Sequence, residues 1–249
     1  MVLLILNVVV ASAVLGLLVH FILEARVVSQ YARATISNPG DTSLNAATQL
    51  CGRVYREIVG REDDRSFIRV SLLNSLGATP AGVLRDGGCC SGKARVAIVA
   101  LSAAGIPAGQ VTLYHSSGKA QHCLVEVACR EGRALIDPTY GLVFIDGGGR
   151  CVGLTDLRSG MQPTFRSLPG SSTTAYPDNE YYDFDFANTQ TANWTRSWRR
   201  RSAHRGLSFL TRGRIDEIWQ PVFLEWPQLV LASGLVAILI VVNAASVAL

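Results

Sequence analysis

Charged residues are absent from both ends of this 249-residue sequence, although the whole chain carries 23 Lys and Arg against 19 Asp and Glu. Residues 1–23 and 226–249 contain none, so every charge lies between Glu24 and Glu225. With 49% hydrophobic residues, the chain is too apolar to be intrinsically disordered. The charged middle has the length of one domain with its own core, roughly 150–200 residues, and a multidomain organisation is not expected.

The first uncharged end predicts a transmembrane anchor over residues 1–23. As a helix that rises about 1.5 Å per residue, the run from Val2 to Leu23 is roughly 33 Å long, which is enough to span a bilayer. A cleavable signal peptide needs Lys or Arg before the apolar run and a small-residue cleavage site after it. No charged side chain precedes the run, and Glu24 and Arg26 follow it in place of a cleavage site. We therefore expect a retained anchor.

The last uncharged end predicts a second transmembrane helix over residues 228–249. A buried core helix is the alternative, but an uncharged run of this length at a chain end is more typical of a membrane span. Arginines flank both spans on the side of the domain, among them Arg26 and Arg212. By the positive-inside rule, the domain is expected in the cytoplasm with both termini outside.

The segment from Arg196 to Arg214 contains seven arginines and no acidic residue. The plain interpretation is a solvated helix face. The functional one is attraction to anionic lipid, worth about 1 kcal/mol per basic residue near the membrane surface. Trp194 and Trp198, four residues apart, suit an interfacial helix just before the second span. No nucleic-acid-binding motif is present, so lipid is the expected partner and nucleic acid is not.

The sequence has six cysteines but no Cys-x-x-Cys pair. Disulfides are not expected, because a cytoplasmic domain keeps its thiols reduced. A zinc site formed by Cys89, Cys90, His122 and Cys123 is disfavoured, since two adjacent pairs give poor tetrahedral geometry. No metal or other cofactor is therefore expected. The cysteines are Cys51, Cys89, Cys90, Cys123, Cys129 and Cys151.

Residues 40–158 have the pattern of one α+β unit. Apolar residues spaced by three and four predict a helix over residues 43–60, and Phe67–Leu76 is another candidate helix. After the glycine-bounded turn at residues 86–92, an apolar run up to Ala104 predicts a helix that opens near Cys90. Successive short strands are then predicted over Gln110–His115, Gln121–Cys129, Ala134–Asp137 and Leu142–Ile145.

Residues 159–227 are expected to form a loop or lid followed by the Arg-rich juxtamembrane segment. Residues 159–193 are rich in Ser, Thr, Pro, Gly and Asn and enclose an acidic, aromatic run from Tyr176 to Phe186. This composition is typical of a long surface loop.

Three residues of the 40–158 unit have the chemistry of a cysteine hydrolase. Cys90 opens a predicted helix, His122 begins a strand and Asp137 ends the next strand. The imidazole takes the thiol proton, the carboxylate fixes the tautomer of the ring, and nearby donors hold the oxyanion formed on attack. The helix start itself favours the thiolate. Alone, each residue has a plainer explanation, as a core cysteine, a satisfied histidine or a turn-capping aspartate, but their order and spacing predict a catalytic triad.

Four motifs in this region resemble the bacterial transglutaminase-like superfamily. They are Gly88-Cys-Cys-Ser-Gly-Lys-Ala94, Leu101-Ser-Ala-Ala-Gly-Ile-Pro-Ala108, His122-Cys-Leu-Val-Glu-Val127 and Leu135-Ile-Asp-Pro-Thr139. The family pattern is Gly-x-Cys-x-x-x-Ala, a helix ending in Gly-Ile-Pro-Ala-Arg, a strand beginning His-Ala-Trp-Val-Glu-Val, and Asp-Pro-Thr. The fifteen-residue step from Cys90 to Gly105 fits this pattern and selects Cys90 over Cys89 as the nucleophile.

The resemblance implies a papain-like core with a Cys90, His122 and Asp137 triad. It also implies a bacterial inner-membrane enzyme that cleaves or transfers an acyl group from an amide or peptide bond through a thioester. Hydrolysis, as in a cysteine protease or amidase, is favoured over cross-linking, because most bacterial relatives look like peptidases or amidases. The alternative is a catalytically silent scaffold of the same fold that binds a peptide or protein at the membrane.

Three positions depart from the family pattern. Gly109 stands where the arginine is usual, Leu124 stands where the tryptophan is usual, and the residue before the aspartate motif is not aromatic. These changes remove expected pocket walls rather than triad members, so they bear on substrate preference. For the oxyanion donor upstream of the nucleophile, Asn74 and Gln49 are the candidates.

Overall fold

The computed structural model of the chain describes residues 1–36, 38, 40–61, 77–192 and 198–248. The candidate helix Phe67–Leu76 and Asn74 lie outside these ranges. The helices are α1 (Val2–Arg33), α2 (Leu44–Glu57), α3 (Pro80–Asp86), α4 (Cys90–Ala103), α5 (Leu154–Arg158), α6 (Trp198–Leu210) and α7 (Pro227–Ala248). The strands are β1 (Ala108–His115), β2 (Ala120–Cys129), β3 (Gly132–Asp137), β4 (Leu142–Ile145), β5 (Thr164–Ser167) and β6 (Phe184–Gln190).

The helix expected over residues 43–60 is confirmed as α2. The Ser43 hydroxyl caps it by accepting a hydrogen bond from the Ala46 N–H at 3.2 Å. The apolar residues at spacings of three and four, such as Leu50 and Val54, are buried in the core. Burial of this face against α4 and the sheet holds α2 in place.

The α+β class is confirmed, with one antiparallel sheet in the order β5-β4-β3-β2-β1-β6. Strands β1 to β4 are the four that the sequence predicts, each within two residues of the expected bounds. In the pairing of β2 with β3, Val125 lies opposite Ile136. Because strands alternate their side chains, Leu124 and Leu135 point to the opposite face of the sheet from this pair.

The expectation of a long loop over residues 159–193 is wrong for two stretches of it. Strand β5 pairs with β4 and strand β6 pairs with β1, so they form the two edges of the sheet. Edge strands that bury one face alternate apolar and polar residues, and Phe184, Asp185 and Phe186 follow that alternation. The acidic, aromatic composition therefore reflects in part a half-buried strand.

The two faces of the sheet bury separate cores. One face packs against α4 and includes Val125, Val127 and Ile136. The other face is covered by α5 and by the side chains of Met161 and Tyr176, and its buried residues include Leu124 and Phe144. This second face also carries the buried carboxylates Glu126, within β2, and Asp137, at the end of β3.

The two terminal helices are each long and apolar enough to cross a membrane. They pack against each other, and the side-chain amides of Asn7 and Asn243 exchange hydrogen bonds at 3.1 Å. The first helix is longer than the anchor expected over residues 1–23, because it continues to Arg33. Its last turns belong to the domain core, where Val28 and Ala32 are fully buried.

Candidate functional site

The turn before α4 fixes where the helix begins. Gly87 has a φ of +81°, and a Cβ there would lie 2.6 Å from the Val59 carbonyl oxygen. A side chain is therefore excluded twice, by conformation and by space. The Gly88 N–H donates to the same Val59 carbonyl at 3.1 Å, which ties the turn to the segment after α2.

Cys90 is the first residue of α4, as expected. The first backbone bond of the helix runs from the Lys93 N–H to the Cys89 carbonyl at 2.9 Å. The N–H groups of Cys90, Ser91 and Gly92 therefore precede the first intrahelical bond and have no carbonyl partner within the helix. This helix start provides the N–H donors and positive dipole end beside the Cys90 side chain.

His122 and Asp137 lie side by side, which confirms the expectation for neighbouring strands. The His122 Nε2–H donates to Asp137 Oδ2 at 2.7 Å. Both residues are buried, with His122 3% exposed and Asp137 0% exposed. Because Asp137 occupies Nε2, the other ring nitrogen, Nδ1, is available to the Cys90 thiol.

Cys90 completes this group, because its side chain interacts with that of His122 and contributes to the raised pKa of the imidazole. Burial lowers the pKa of His122, but the Asp137 carboxylate and the Cys90 side chain outweigh it and raise the pKa to about 10. The imidazole therefore holds a proton firmly. The structure brings together all three residues that the sequence singled out.

The Asp137 carboxylate is saturated with donors. Oδ1 accepts the backbone N–H of Thr139 at 2.7 Å and that of Tyr140 at 3.1 Å. Oδ2 accepts the Tyr176 hydroxyl at 2.7 Å as well as His122. Burial raises the pKa of Asp137, but the charge of His122 and these hydrogen bonds outweigh it, and the net shift is downward. Asp137 is thus an ionised carboxylate in an enclosed site.

Aromatic rings surround His122. The ring centroids of Tyr140, Tyr176 and Phe184 lie 5.5, 5.9 and 6.1 Å from that of the imidazole, and Phe184 is stacked on it. Sequence reasoning missed Tyr176 and Phe184, because they lie in the segment expected to be a loop. The alternation from Phe184 to Phe186 was the available signal for a strand there.

Trp219 occupies the space beside Gly109, the position where the family pattern has arginine. A Cβ on Gly109 would lie 2.4 Å from Trp219 Cγ. The Trp219 indole N–H donates to Glu126 Oε2 at 2.6 Å. Leu124, where the family pattern has tryptophan, is fully buried in the second core rather than lining an open pocket.

Gln49 is wrong as an oxyanion-donor candidate. It is exposed on α2, on the side opposite the buried residues of that helix, and lines a surface cavity with Thr35 and Arg53. Asn74 lies outside the described residues. Within the described chain, the donors beside Cys90 are the N–H groups at the start of α4.

None of the six cysteines, all of which lie in described ranges, forms a disulfide. Across the described ranges, no group of three or more His, Cys, Asp or Glu side chains is arranged to hold a metal ion.

No protein-family model, curated protein or solved structure was found to match this chain. The resemblance to the transglutaminase-like superfamily thus depends on the four sequence motifs alone.

Proposed function

We propose that this chain is a membrane-anchored cysteine enzyme of transglutaminase-like type with a papain-like core. The observation that carries the proposal is the His122 ring, whose Nε2 is held by Asp137 at 2.7 Å while Cys90 interacts with the same side chain. A nucleophile, a base and an orienting carboxylate in this relation are what acyl transfer through a thioester requires.

In the proposed reaction, the proton of the Cys90 thiol is already held on His122 Nδ1, so the reaction begins from a thiolate beside an imidazolium. The thiolate attacks the carbonyl carbon of an amide or peptide bond, and the resulting oxyanion is held by N–H groups at the start of α4. His122 then donates its proton to the leaving amine, the C–N bond breaks, and an acyl thioester remains on Cys90. Attack by water releases the acid in hydrolysis, the favoured outcome, whereas attack by an amine completes a transfer.

A catalytically silent scaffold that binds a peptide or protein at the membrane is the second candidate. The observation that favours it is the enclosure of His122, which is 3% exposed beneath the rings of Tyr140, Tyr176 and Phe184. A binding module needs no access of water or substrate to the imidazole, whereas the enzyme requires it.

The test is a search for an acyl thioester on Cys90. Membranes containing the full chain are incubated with a mixture of peptides and quenched in acid, and the peptide that contains Cys90 is analysed for adducts that hydroxylamine releases. We expect an adduct that disappears in Cys90→Ala and His122→Ala but persists in Cys89→Ala, the matched control one residue earlier. No adduct, together with iodoacetamide labelling of Cys90 no faster than that of Cys89, would favour the scaffold.

Anionic lipid is the proposed partner of the basic segment before α7. In its described part, Arg201, Arg205, Arg212 and Arg214 are exposed. Trp194 and Arg196 lie outside the described residues. Phe209 and Leu210 at the end of α6 are 85% and 75% exposed, as suits a helix that rests its apolar side chains in the headgroup region next to a span.

A bacterial inner-membrane location, with the domain in the cytoplasm, is proposed from the charges that flank α1 and α7. Alkaline phosphatase fused after residue 160 is expected to be inactive, and the same reporter fused after residue 249 is expected to be active. The reverse pattern would contradict this topology.

A further inference from the structure

The hydroxyl of Tyr176 contacts the carboxylate that orients the proposed base. It donates to Asp137 Oδ2 at 2.7 Å, and the same oxygen accepts the His122 Nε2–H at 2.7 Å. Because the carboxylate is ionised and fully buried, the phenol must be the donor. Asp137 Oδ2 thus accepts hydrogen bonds from two side chains at once.

The other donors to Asp137 are backbone groups of its own turn, the N–H groups of Thr139 and Tyr140. They fix Oδ1 and leave Oδ2 to the two side chains. Within the described residues, Tyr176 is therefore the side chain, other than His122, that determines where Oδ2 points.

The ring of Tyr176 is held on several sides. It meets Tyr140, Phe165 and Phe184 edge-on at centroid distances of 5.3, 5.2 and 5.3 Å, and it stacks on Tyr182 at an interplanar angle of 17°. Such packing fixes the direction of the hydroxyl. Loss of the hydroxyl alone would leave these ring contacts in place.

We propose that Tyr176 is a positioning residue that aligns Asp137 Oδ2 with His122. Its hydrogen bond also reduces the negative charge on that oxygen. This inference rests on the proposed function, since it assigns Tyr176 a role in the same site. Without the phenol, Oδ2 carries more charge and stabilises the imidazolium more strongly. The proton on His122 would then be lost at higher pH.

Other ionisable groups interact with this site from the elements around it. They are Cys51 from α2, Cys90 and Lys93 from α4, Tyr140 from the turn after β3, and Tyr181 and Tyr182 from the segment before β6. Burial raises the pKa of Cys51 and of Tyr140, so both stay neutral. Burial lowers the pKa of Lys93, so its charge can change in the alkaline range. The experiment is therefore repeated in a Lys93→Gln background, which removes that charge.

The experiment measures the rate of iodoacetamide alkylation of Cys90 against pH, in the full chain in membranes, by mass spectrometry. The upper inflection of this profile reports loss of the His122 proton. In Tyr176→Phe we expect that inflection to move to a pH higher by about 0.5–1, in the native and the Lys93→Gln backgrounds alike. Tyr114→Phe is the matched control, because the buried Tyr114 hydroxyl donates to the Ala192 carbonyl at 3.1 Å, away from Asp137.

An inflection in Tyr176→Phe that coincides with those of the native chain and Tyr114→Phe would overturn the inference and leave the proposed function standing. A shift that vanishes in the Lys93→Gln background would also overturn it, since Lys93 would then be the group observed. A profile that His122→Gln leaves unchanged would overturn the proposed function, and the inference with it.

Discussion

Two carboxylates, Asp137 and Glu126, are fully buried on the same face of the sheet, on neighbouring strands. Each accepts a hydrogen bond from a basic side chain, from an aromatic side chain and from backbone N–H. For Glu126 these donors are Arg133 Nη1 at 3.0 Å, Trp219 Nε1 at 2.6 Å and the Leu154 N–H at 2.7 Å.

The difference between the two lies in the basic partner. The guanidinium of Arg133 cannot give up its proton, so Glu126 can only hold Trp219 and the start of α5 in place. The imidazole of His122 can gain and lose a proton, so the same kind of surroundings around Asp137 supports proton transfer. A buried carboxylate is therefore structural or functional according to the group it binds.

The largest difference is expected when each carboxylate becomes an amide. In Asp137→Asn, the amide nitrogen faces His122 Nε2, so the imidazole proton moves to Nδ1, the atom that must receive the Cys90 proton. We expect thioester formation on Cys90 to slow by about 10³-fold while the melting temperature changes little. Glu126→Gln is the matched control and should keep the rate. An equal loss of rate in both variants would contradict the division of roles.

A smaller effect is expected on stability when Glu126 is truncated. Glu126→Ala removes the acceptor of the Trp219 and Leu154 N–H groups inside the protein, and we expect the free energy of unfolding to fall by about 3 kcal/mol. Urea unfolding in detergent measures it, with Asp178→Ala as the control because Asp178 is exposed. The pH profile of Cys90 alkylation should stay as in the native chain; a shifted profile would show that Glu126 reaches the proposed site.

The smallest effect is expected from a substitution beside Trp219, the indole that donates a hydrogen bond to Glu126. Gly109→Ala places a methyl group against the indole, and we expect a loss of about 1–2 kcal/mol in the free energy of unfolding. In the Trp219→Ala background the same substitution should cost almost nothing, because the obstacle is gone. Gly147→Ala, where a Cβ meets open space, is the control. An undiminished cost in the Trp219→Ala background would assign the clash to another neighbour.

The sequence predicted those parts of the site that are carried by local patterns. Cys90, His122 and Asp137 each sit at the end of a helix or strand whose periodicity is visible in the sequence, and antiparallel neighbours bring such ends together. Tyr176 and Trp219 were not predicted as parts of these clusters. They reach Asp137 and Glu126 across 39 and 93 residues of sequence, and contacts of that span depend on tertiary packing, which leaves no local periodicity.

The continuity of α1 has a mechanical consequence for the anchored protein proposed above. The helix runs without interruption from Val2 to Arg33, and its last turns are buried in the domain. The bilayer and the domain are therefore joined by a continuous helix instead of a flexible linker. The number of residues in α1 then sets both the height of the proposed site above the lipid and the direction that it faces. Because each residue of a helix adds a turn of about 100° and a rise of about 1.5 Å, one residue inserted between the apolar part of α1 and Val28 would mainly rotate the domain about the helix axis.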